Sequence, residues 1–392
     1  MSLATLPLSY CTNVHPAQTV ADVVAGLDSY SGRVRENCGM PLAAGLWLAA
    51  PVIAELRADQ KQTENLRIAL TRNGLVCYTL NAFPYGDFHS ERVKENVYHP
   101  DWTTDARREY TRDCATILAE LLLDGVEGSI STVPLGFKGA STATDFVDRC
   151  IANLLALARF LDDLHDASGR VIRLAIEPEP LCVLETTPET TAFFSTLFDR
   201  AATAGELEIA QRHLGVCYDV CHQSVEFEDV AQSIRDLRSA GVRINKVHIT
   251  CAVRLEKPAE NSAGRAALAD FAEPRYLHQT FARSAEGQIV HRTDLDAPLC
   301  ESPPTEFRDA PEWRIHFHVP VNAESLGPLQ TTRGDLRRAL KAVAELDYAP
   351  HLEVETYTWH VLPGQQRPTL VDGLTAEMQA TRDLLNTISE QR

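Results

Sequence analysis

Eight short apolar segments recur along the 392-residue chain, and stretches with helical spacing of apolar residues lie between them. Several segments, such as VIRLAIE and LGVCYDV, are continuous apolar runs, which is typical of strands covered on both faces in a parallel sheet. Strands that alternate with helices predict an α/β fold, and eight such units predict a closed (β/α)8 TIM barrel. The predicted strands are 6–12, 43–49, 75–82, 128–134, 171–177, 214–220, 244–250 and 351–357.

Two long loops are predicted, because a barrel of this kind needs only about 250 residues. Residues 84–101 follow the third predicted strand, and residues 253–313 follow the seventh as a polar, proline-containing insertion. Loops that follow strands lie on the C-terminal face of a barrel, where its chemistry occurs. We interpret 1–392 as one barrel domain, with 253–313 as an insertion or lid rather than a linker between domains. The strand-like run 314–321 is either a barrel strand or an excursion near the mouth.

The composition excludes several classes of protein. Lys and Arg total 37 against 54 Asp and Glu, so the net charge is −17, which argues against a nucleic-acid partner. No apolar run approaches the roughly 20 residues of a membrane span, and no secretory signal is evident. The ten cysteines are scattered and form no Cys-x-x-Cys pair, which favours reduced thiols in a cytoplasm. An oligomer is possible.

Acidic or imidazole side chains stand at the ends of four consecutive predicted strands: Glu177, Asp219, His248 and Glu355. Each alone has an ordinary interpretation, such as a helix cap, an ion pair or a core histidine. A carboxylate or imidazole within an apolar strand is costly unless it is paired or binds a metal. Three carboxylates and one imidazole therefore predict a single divalent cation, either Mn²⁺, Mg²⁺, Co²⁺ or Zn²⁺.

Two further glutamates lie close to this set in the sequence. Glu353 shares a strand face with Glu355, so one of the two is expected to support the other. Glu179 stands two residues after Glu177 in the segment IEPEP. The residues alone leave open whether Glu353 or Glu179 replaces its neighbour as a ligand.

The segments IEPEP, GVCYDVCH, KVHIT and HLEVETYTW resemble the xylose isomerase-like TIM-barrel superfamily of sugar isomerases and epimerases. The resemblance covers nearly the whole chain. It implies that Glu177 and Glu355 are catalytic as well as metal-binding, on opposite sides of the substrate. One removes the proton next to a carbonyl and the other returns it, with the cation stabilising the enediolate. Tyr348, seven residues before Glu355, matches a superfamily tyrosine and favours Glu355 over Glu353.

The resemblance also implies three contacts with a sugar, polyol or cyclitol-like substrate. His222, three residues after the strand-six aspartate, and Arg254, six residues after the strand-seven histidine, match substrate-contacting positions. His318 precedes Val-Pro-Val, where a superfamily histidine approaches the metal or a second metal.

Three other polar residues are candidates from their position. Asn13 and His15 follow the first predicted strand, and Asn81 ends the third. They are expected either to line the mouth and contact substrate or to serve turns, where Asn and His are common.

A narrower resemblance is to EboE, a branch of the superfamily described as a metabolite traffic protein. It implies a role in making or moving a small metabolite. The matching segments are SYCTNVHP at 9–16, LNAFPYGDFH at 80–89, VKENVYHPDW at 93–102, STVPLGFKG at 131–139 and HFHVPV at 316–321.

Two alternatives to an isomerase or epimerase were weighed. The first is a metabolite-binding or carrier protein that keeps the barrel and the metal without turnover. The second is a zinc-dependent endonuclease acting on abasic DNA, which needs extra histidines after early strands. Those strands read AAGLWLAAP and SISTVPLGF and contain no histidine, and the negative charge of the chain also disfavours DNA.

Overall fold

The first part of the barrel consists of parallel strands whose residues are almost all buried. The computed structural model describes residues 5–364 and 367–391. Every residue of the second, fifth, seventh and eighth strands is buried, as expected for strands covered on both faces. The strands are β1 (Leu8–Cys11), β2 (Leu42–Trp47), β3 (Leu75–Val76), β4 (Thr79–Asn81), β5 (Gly128–Thr132), β6 (Ile172–Ile176), β7 (Leu214–Asp219) and β8 (Ile244–Ile249).

Helices between these strands cover the outside of the barrel. The helix after β5 is the longest of this group and buries one apolar face, which includes Leu154 and Leu161. The helices are α1 (Val20–Gly26), α2 (Gly32–Cys38), α3 (Ala50–Ala58), α4 (Gln60–Arg72), α5 (Asp105–Leu121), α6 (Phe146–Ser168), α7 (Thr187–Thr203), α8 (Leu207–His213), α9 (Val220–Val225) and α10 (Val230–Ser239).

The segment after β8 folds into a second sheet rather than a loose polar loop. This antiparallel sheet has the order β11-β10-β12-β9-β14-β13, and its core includes the fully buried Trp313. It extends beyond 313, where the insertion was expected to end. Its elements are β9 (Val253–Glu256), α11 (Ser262–Ala269), β10 (Thr280–Arg283), β11 (Ile289–Arg292), α12 (Ala297–Glu301), α13 (Thr305–Arg308), β12 (Glu312–Ile315), β13 (Ser325–Leu326) and β14 (Leu329–Thr331).

The strand-like run at 314–321 is not a barrel strand. Its first two residues belong to β12, which pairs antiparallel with β9 and β10. The residues after β12 cross the mouth of the barrel, where His316 and His318 line a cavity. Of the two interpretations, the excursion near the mouth is correct.

The last strand closes the barrel and confirms the predicted (β/α)8 fold. After α14 (Arg333–Ala344), β15 (His351–Val354) pairs in parallel with β8 on one side and β1 on the other. Strand β1 also pairs with β2, so the sheet is continuous around the circle. The chain then enters α15 (Leu370–Glu390).

Two features of the chain as a whole bear on the expectations from composition. All ten cysteines are free and buried, as expected for reduced thiols. Within the described residues, no helix combines the length and the apolar character that crossing a bilayer requires.

Candidate metal centre and active-site cavity

The four predicted ligands lie together at the C-terminal ends of neighbouring strands. Glu177 directly follows β6, Asp219 ends β7, His248 lies in β8 and Glu355 directly follows β15. One ligand atom from each lies within 4.8 Å of the others. The Nδ1 atom of His248 is 2.9 Å from Glu177 Oε1, 3.0 Å from Glu355 Oε2 and 3.6 Å from Asp219 Oδ2. The strand order β6-β7-β8-β15 explains why side chains distant in sequence meet here.

The cluster carries three carboxylates against a single imidazole, and all four side chains are buried. Burial raises the pKa of Glu177 to about 7, despite the attraction of His248, and repulsion from Glu355 and Asp219 adds to the rise. Glu177 Oε2 and Asp219 Oδ2 have no hydrogen-bond partner within the described chain. Carboxylate oxygens without a hydrogen-bond partner, in a buried cluster with excess negative charge, are suited to bind a divalent cation.

Two asparagines hold Glu355 in place. The Nδ2 groups of Asn13 and Asn81 both donate to Glu355 Oε1, at 2.9 Å and 2.7 Å. Glu355 Oε2 is thereby left to face His248. Asn13 and Asn81 were expected at the mouth as substrate contacts, and both do line the cavity, but each donates an amide hydrogen to Glu355.

Hydrogen bonds to Oδ1 orient the carboxylate of Asp219. Its Oδ1 accepts hydrogen bonds from Thr250 Oγ1 at 2.7 Å and from the backbone N–H of His222 at 3.0 Å. The second bond is the N-terminal cap of α9, so the start of this helix fixes the carboxylate. Thr250 was not predicted as a site residue, although it is the last residue of the segment KVHIT.

His222 and His318 line the cavity beside the cluster and share one hydrogen-bond pattern. Their Nδ1 atoms lie 2.9 Å from Pro178 O and 2.8 Å from Glu355 O. Because a carbonyl oxygen only accepts, each Nδ1 carries a hydrogen. Burial lowers the pKa of His222 to about 4, so this imidazole is neutral at neutral pH. Neutral rings of this kind can accept hydrogen bonds from the hydroxyls of a ligand.

A second group of polar side chains beside the cavity was largely not predicted from the sequence. Tyr98 donates its hydroxyl to Glu179 Oε1 at 2.8 Å, and Gln279 Nε2 donates to the same hydroxyl at 3.2 Å. Gln279 Oε1 then faces His316 Nδ1 at 2.7 Å. Of these residues, Glu179 was predicted as an alternative ligand and His316 lies in the segment HFHVPV, whereas nothing in the sequence indicated Gln279 in the insertion. The Oε2 of Glu179 has no partner among the described residues.

Two of the predicted substrate contacts do not line the cavity. His15 faces Tyr10, with its Nε2 3.1 Å from the hydroxyl, and stacks on Tyr30 at 4.5 Å between ring centroids. Arg254 lies in β9, where its Nε is 2.7 Å from Glu312 Oε1. The chain leaves the barrel mouth at β9 to join the second sheet, so the spacing of Arg254 from His248 does not bring it to the site. We correct both expectations.

The cavity above the cluster is closed by three separate parts of the chain: the loop after β4, the insertion, and the segment after β15. Glu177 and Glu355 line it, whereas Asp219 and His248 do not. The lining residues are Asn13, Asn81, Phe83, Pro84, Phe88, Val93, Lys94, Val97, Tyr98, Glu177, Glu179, His222, Tyr276, Leu277, His316, His318, Glu355 and Tyr357.

Comparison with known proteins identifies the fold. No family model and no curated protein matches the sequence. A xylose isomerase-like TIM-barrel protein from Mycobacterium smegmatis, in complex with magnesium, aligns at a TM-score of 0.56 and 12% identity, over 99% of both chains. An L-ribulose 3-epimerase aligns at 0.51 and 12% identity, over 99% of this chain and 97% of that chain. A D-tagatose 3-epimerase-like protein aligns at 0.50 and 12% identity, over 98% and 99%. These similarities establish a TIM barrel whose structural neighbours are xylose isomerase-like proteins and sugar epimerases.

Proposed function

We propose that this protein is a divalent-cation-dependent isomerase or epimerase that acts on a hydroxy-ketone form of a sugar, polyol or cyclitol-like compound. The observation that carries the proposal is the cluster of Glu177, Asp219, His248 and Glu355, with ligand atoms within 4.8 Å of one another. It lies at the floor of a cavity on the C-terminal face, where TIM barrels place their chemistry. The sugar epimerases among the structural neighbours support the same reaction class.

The four residues would hold the cation, but only two of them face the substrate. When bound, the cation polarises the carbonyl and hydroxyl oxygens of the substrate and so makes the intervening C–H bond more acidic. Glu177 and Glu355 both line the cavity, and they follow β6 and β15, which have two strands, β7 and β8, between them in the barrel. This arrangement suits a pair in which one carboxylate removes a proton and the other returns it.

The neighbouring groups orient the pair and the substrate. Asn13 and Asn81 fix Glu355 Oε1, so that the second oxygen of Glu355 is left for proton transfer or for the cation. The imidazoles of His222 and His318 hydrogen-bond to substrate hydroxyls through Nε2 and so orient the substrate. Glu177 keeps one oxygen free of partners within the described chain.

The test is solvent hydrogen exchange by the Mn²⁺-loaded protein in D₂O. A panel of ketohexoses and inososes is followed by NMR for deuterium entering at the carbon next to the carbonyl. At least one substrate should exchange, and Glu177→Gln and Glu355→Gln should lower the rate by at least about 100-fold. Glu208→Gln, an exposed glutamate far from the cavity, is the matched control and should exchange normally. Bound metal without exchange across the panel would contradict the proposal.

A binding or carrier role is the second candidate, and the narrower resemblance to EboE favours it. Four of the five segments that carry this resemblance contribute lining residues, among them Asn13, Asn81, Tyr98 and His316. The cavity is thus built largely from these segments. Saturable ligand binding by the metal-loaded protein with no hydrogen exchange would favour this role over turnover.

A further inference from the structure

The cavity has two halves of opposite chemistry. Its floor carries carboxylates and imidazoles, with Glu177, Glu355, His222 and His318 among them. Its upper walls carry apolar and aromatic side chains. They include Phe88, Val93, Tyr276, Leu277 and Tyr357.

Three aromatic rings in the upper half pack against one another. The ring centroid of Phe88 is 4.9 Å from that of Tyr276 and 5.3 Å from that of Tyr357. Tyr276 and Tyr357 are themselves 4.9 Å apart. The three rings come from the loop after β4, the insertion and the segment after β15. Because each ring holds the other two, the aromatic wall is preformed rather than assembled around a ligand.

An unmodified sugar fits this upper half poorly. Phe88, Val93 and Leu277 have no side-chain atom that can hydrogen-bond, and all three are nearly buried. The Tyr98 hydroxyl is already engaged with Glu179 and Gln279. A sugar carries a hydroxyl on almost every carbon, and the hydroxyls placed against Phe88, Val93 and Leu277 would lose their hydrogen bonds to water without replacement from these side chains. An apolar group in the same place gains the free energy of burial instead.

The described lining of the cavity also offers no available cationic side chain for a phosphate group. Among the described residues that line it, Lys94 is the one lysine or arginine. Its ammonium donates to Glu273 O at 3.0 Å, Tyr276 O at 2.6 Å and Asp294 Oδ2 at 2.6 Å, which uses all three hydrogens. A phosphate placed beside Phe88 and Leu277 would therefore be buried without a cationic side chain to pair with, which is costly.

We infer that the substrate of this site is an uncharged, unphosphorylated hydroxy-ketone or polyol that carries an apolar substituent, such as an aryl ring. The inference rests on the function proposed above and specifies its substrate class. The polar end meets Glu177, Glu355 and the imidazoles, and the substituent fills the space beside Phe88, Tyr276 and Leu277.

The test measures binding to the Mg²⁺-loaded protein by isothermal titration calorimetry, with three ketohexoses as probes. They are D-fructose, 1-anilino-1-deoxy-D-fructose and D-fructose 6-phosphate. The anilino derivative should bind at least about ten-fold more tightly than fructose, and the phosphate should bind no more tightly than fructose. Phe88→Ala should reduce the preference for the anilino derivative, and Phe160→Ala, on the outer helix α6, should keep it.

The possible outcomes separate the two proposals. Equal affinity for fructose and its anilino derivative, or tightest binding of the phosphate, overturns the inference and leaves the proposed function standing. Binding of none of the three ketoses overturns the inference, whereas the proposed function is overturned only by the absence of hydrogen exchange across the whole panel of ketohexoses and inososes. The comparison of probes on the wild-type protein needs no variant, so a folding defect in Phe88→Ala does not affect it.

Discussion

The ammonium of Lys246 lies 2.8 Å from Glu353 Oε1 inside the barrel, and both side chains are fully buried. The same carboxylate oxygen is 3.4 Å from His248 Nε2, on the opposite edge of the ring from the Nδ1 that faces the candidate ligands. Ser9 Oγ donates to the other oxygen of Glu353 at 3.0 Å. Glu353 therefore lies on the other side of the His248 ring from the candidate ligands, where its negative charge favours one orientation of the imidazole.

Glu353→Gln should weaken both folding and metal binding. It leaves the Lys246 ammonium buried without a counter-charge, which costs about 3–5 kcal/mol of unfolding free energy. It also removes the negative charge beside His248, so we expect Mn²⁺ affinity to fall by about 10- to 100-fold. Urea denaturation and calorimetric titration measure the two effects. The double variant with Lys246→Met should recover stability but not affinity, and unchanged Mn²⁺ affinity in either variant would show that Glu353 does not orient His248.

Gly45 in β2 makes room for this carboxylate. A Cβ at this position would stand 1.6 Å from Glu353 Oε2 and 2.8 Å from Ser9 Oγ. Gly45→Ala should therefore lower the unfolding free energy by about 1–3 kcal/mol, because well-packed cores cannot absorb an added methyl group. It should also lower Mn²⁺ affinity by displacing Glu353. Gly86→Ala is the matched control, since nothing lies within 4 Å of its Cβ. Equal stability of the two variants would contradict the close approach.

The barrel and the cluster could be predicted for the same physical reason. Continuous apolar runs such as that of β7 identify strands covered on both faces, and parallel strands bring their C-terminal ends to one edge. Glu177, Asp219 and Glu355 stand at those ends, so their convergence follows from strand order alone.

Contacts that depend on register or on irregular chain paths could not be predicted. Pairing of Glu353 with His248 across β15 and β8 requires the register between these strands, which no local pattern contains. Arg254 shows the same limit: its distance from His248 along the chain is short, but β9 turns away from the mouth. The short polar strands of the second sheet pair over long sequence distances, and their composition resembles that of a loop.

Binding of a divalent cation should stabilise the protein, and Glu355→Gln should abolish the effect. A ligand at about 100 times its Kd adds about 2.7 kcal/mol to the unfolding free energy, which thermal denaturation with Mn²⁺ or with EDTA can detect. Without metal, Glu177→Gln should be more stable than the wild-type protein, because burial, together with repulsion from Glu355 and Asp219, raises the pKa of Glu177 to about 7 and so disfavours its charged form in the fold. Glu208→Gln should behave as wild type in both conditions. A variant that is less stable without metal would contradict the excess negative charge of the cluster.

Glu377 should make the stability of the protein depend on pH. Burial raises its pKa from 4.5 to about 7. Hydrogen bonds from Thr356 Oγ1 at 2.6 Å, Val321 N at 3.0 Å and Trp359 Nε1 at 2.8 Å lower the pKa, but by less than burial raises it. Because the pKa is higher in the folded than in the unfolded state, the folded protein holds the proton more tightly. This contribution to stability is fully present below pH 4.5 and is lost as the pH rises through 7. A shift of this size corresponds to about 3 kcal/mol.

Urea denaturation from pH 4.5 to 8 should show a smaller loss of unfolding free energy with rising pH for Glu377→Gln than for the wild-type protein. Parallel curves for the two proteins would show that Glu377 keeps an ordinary pKa.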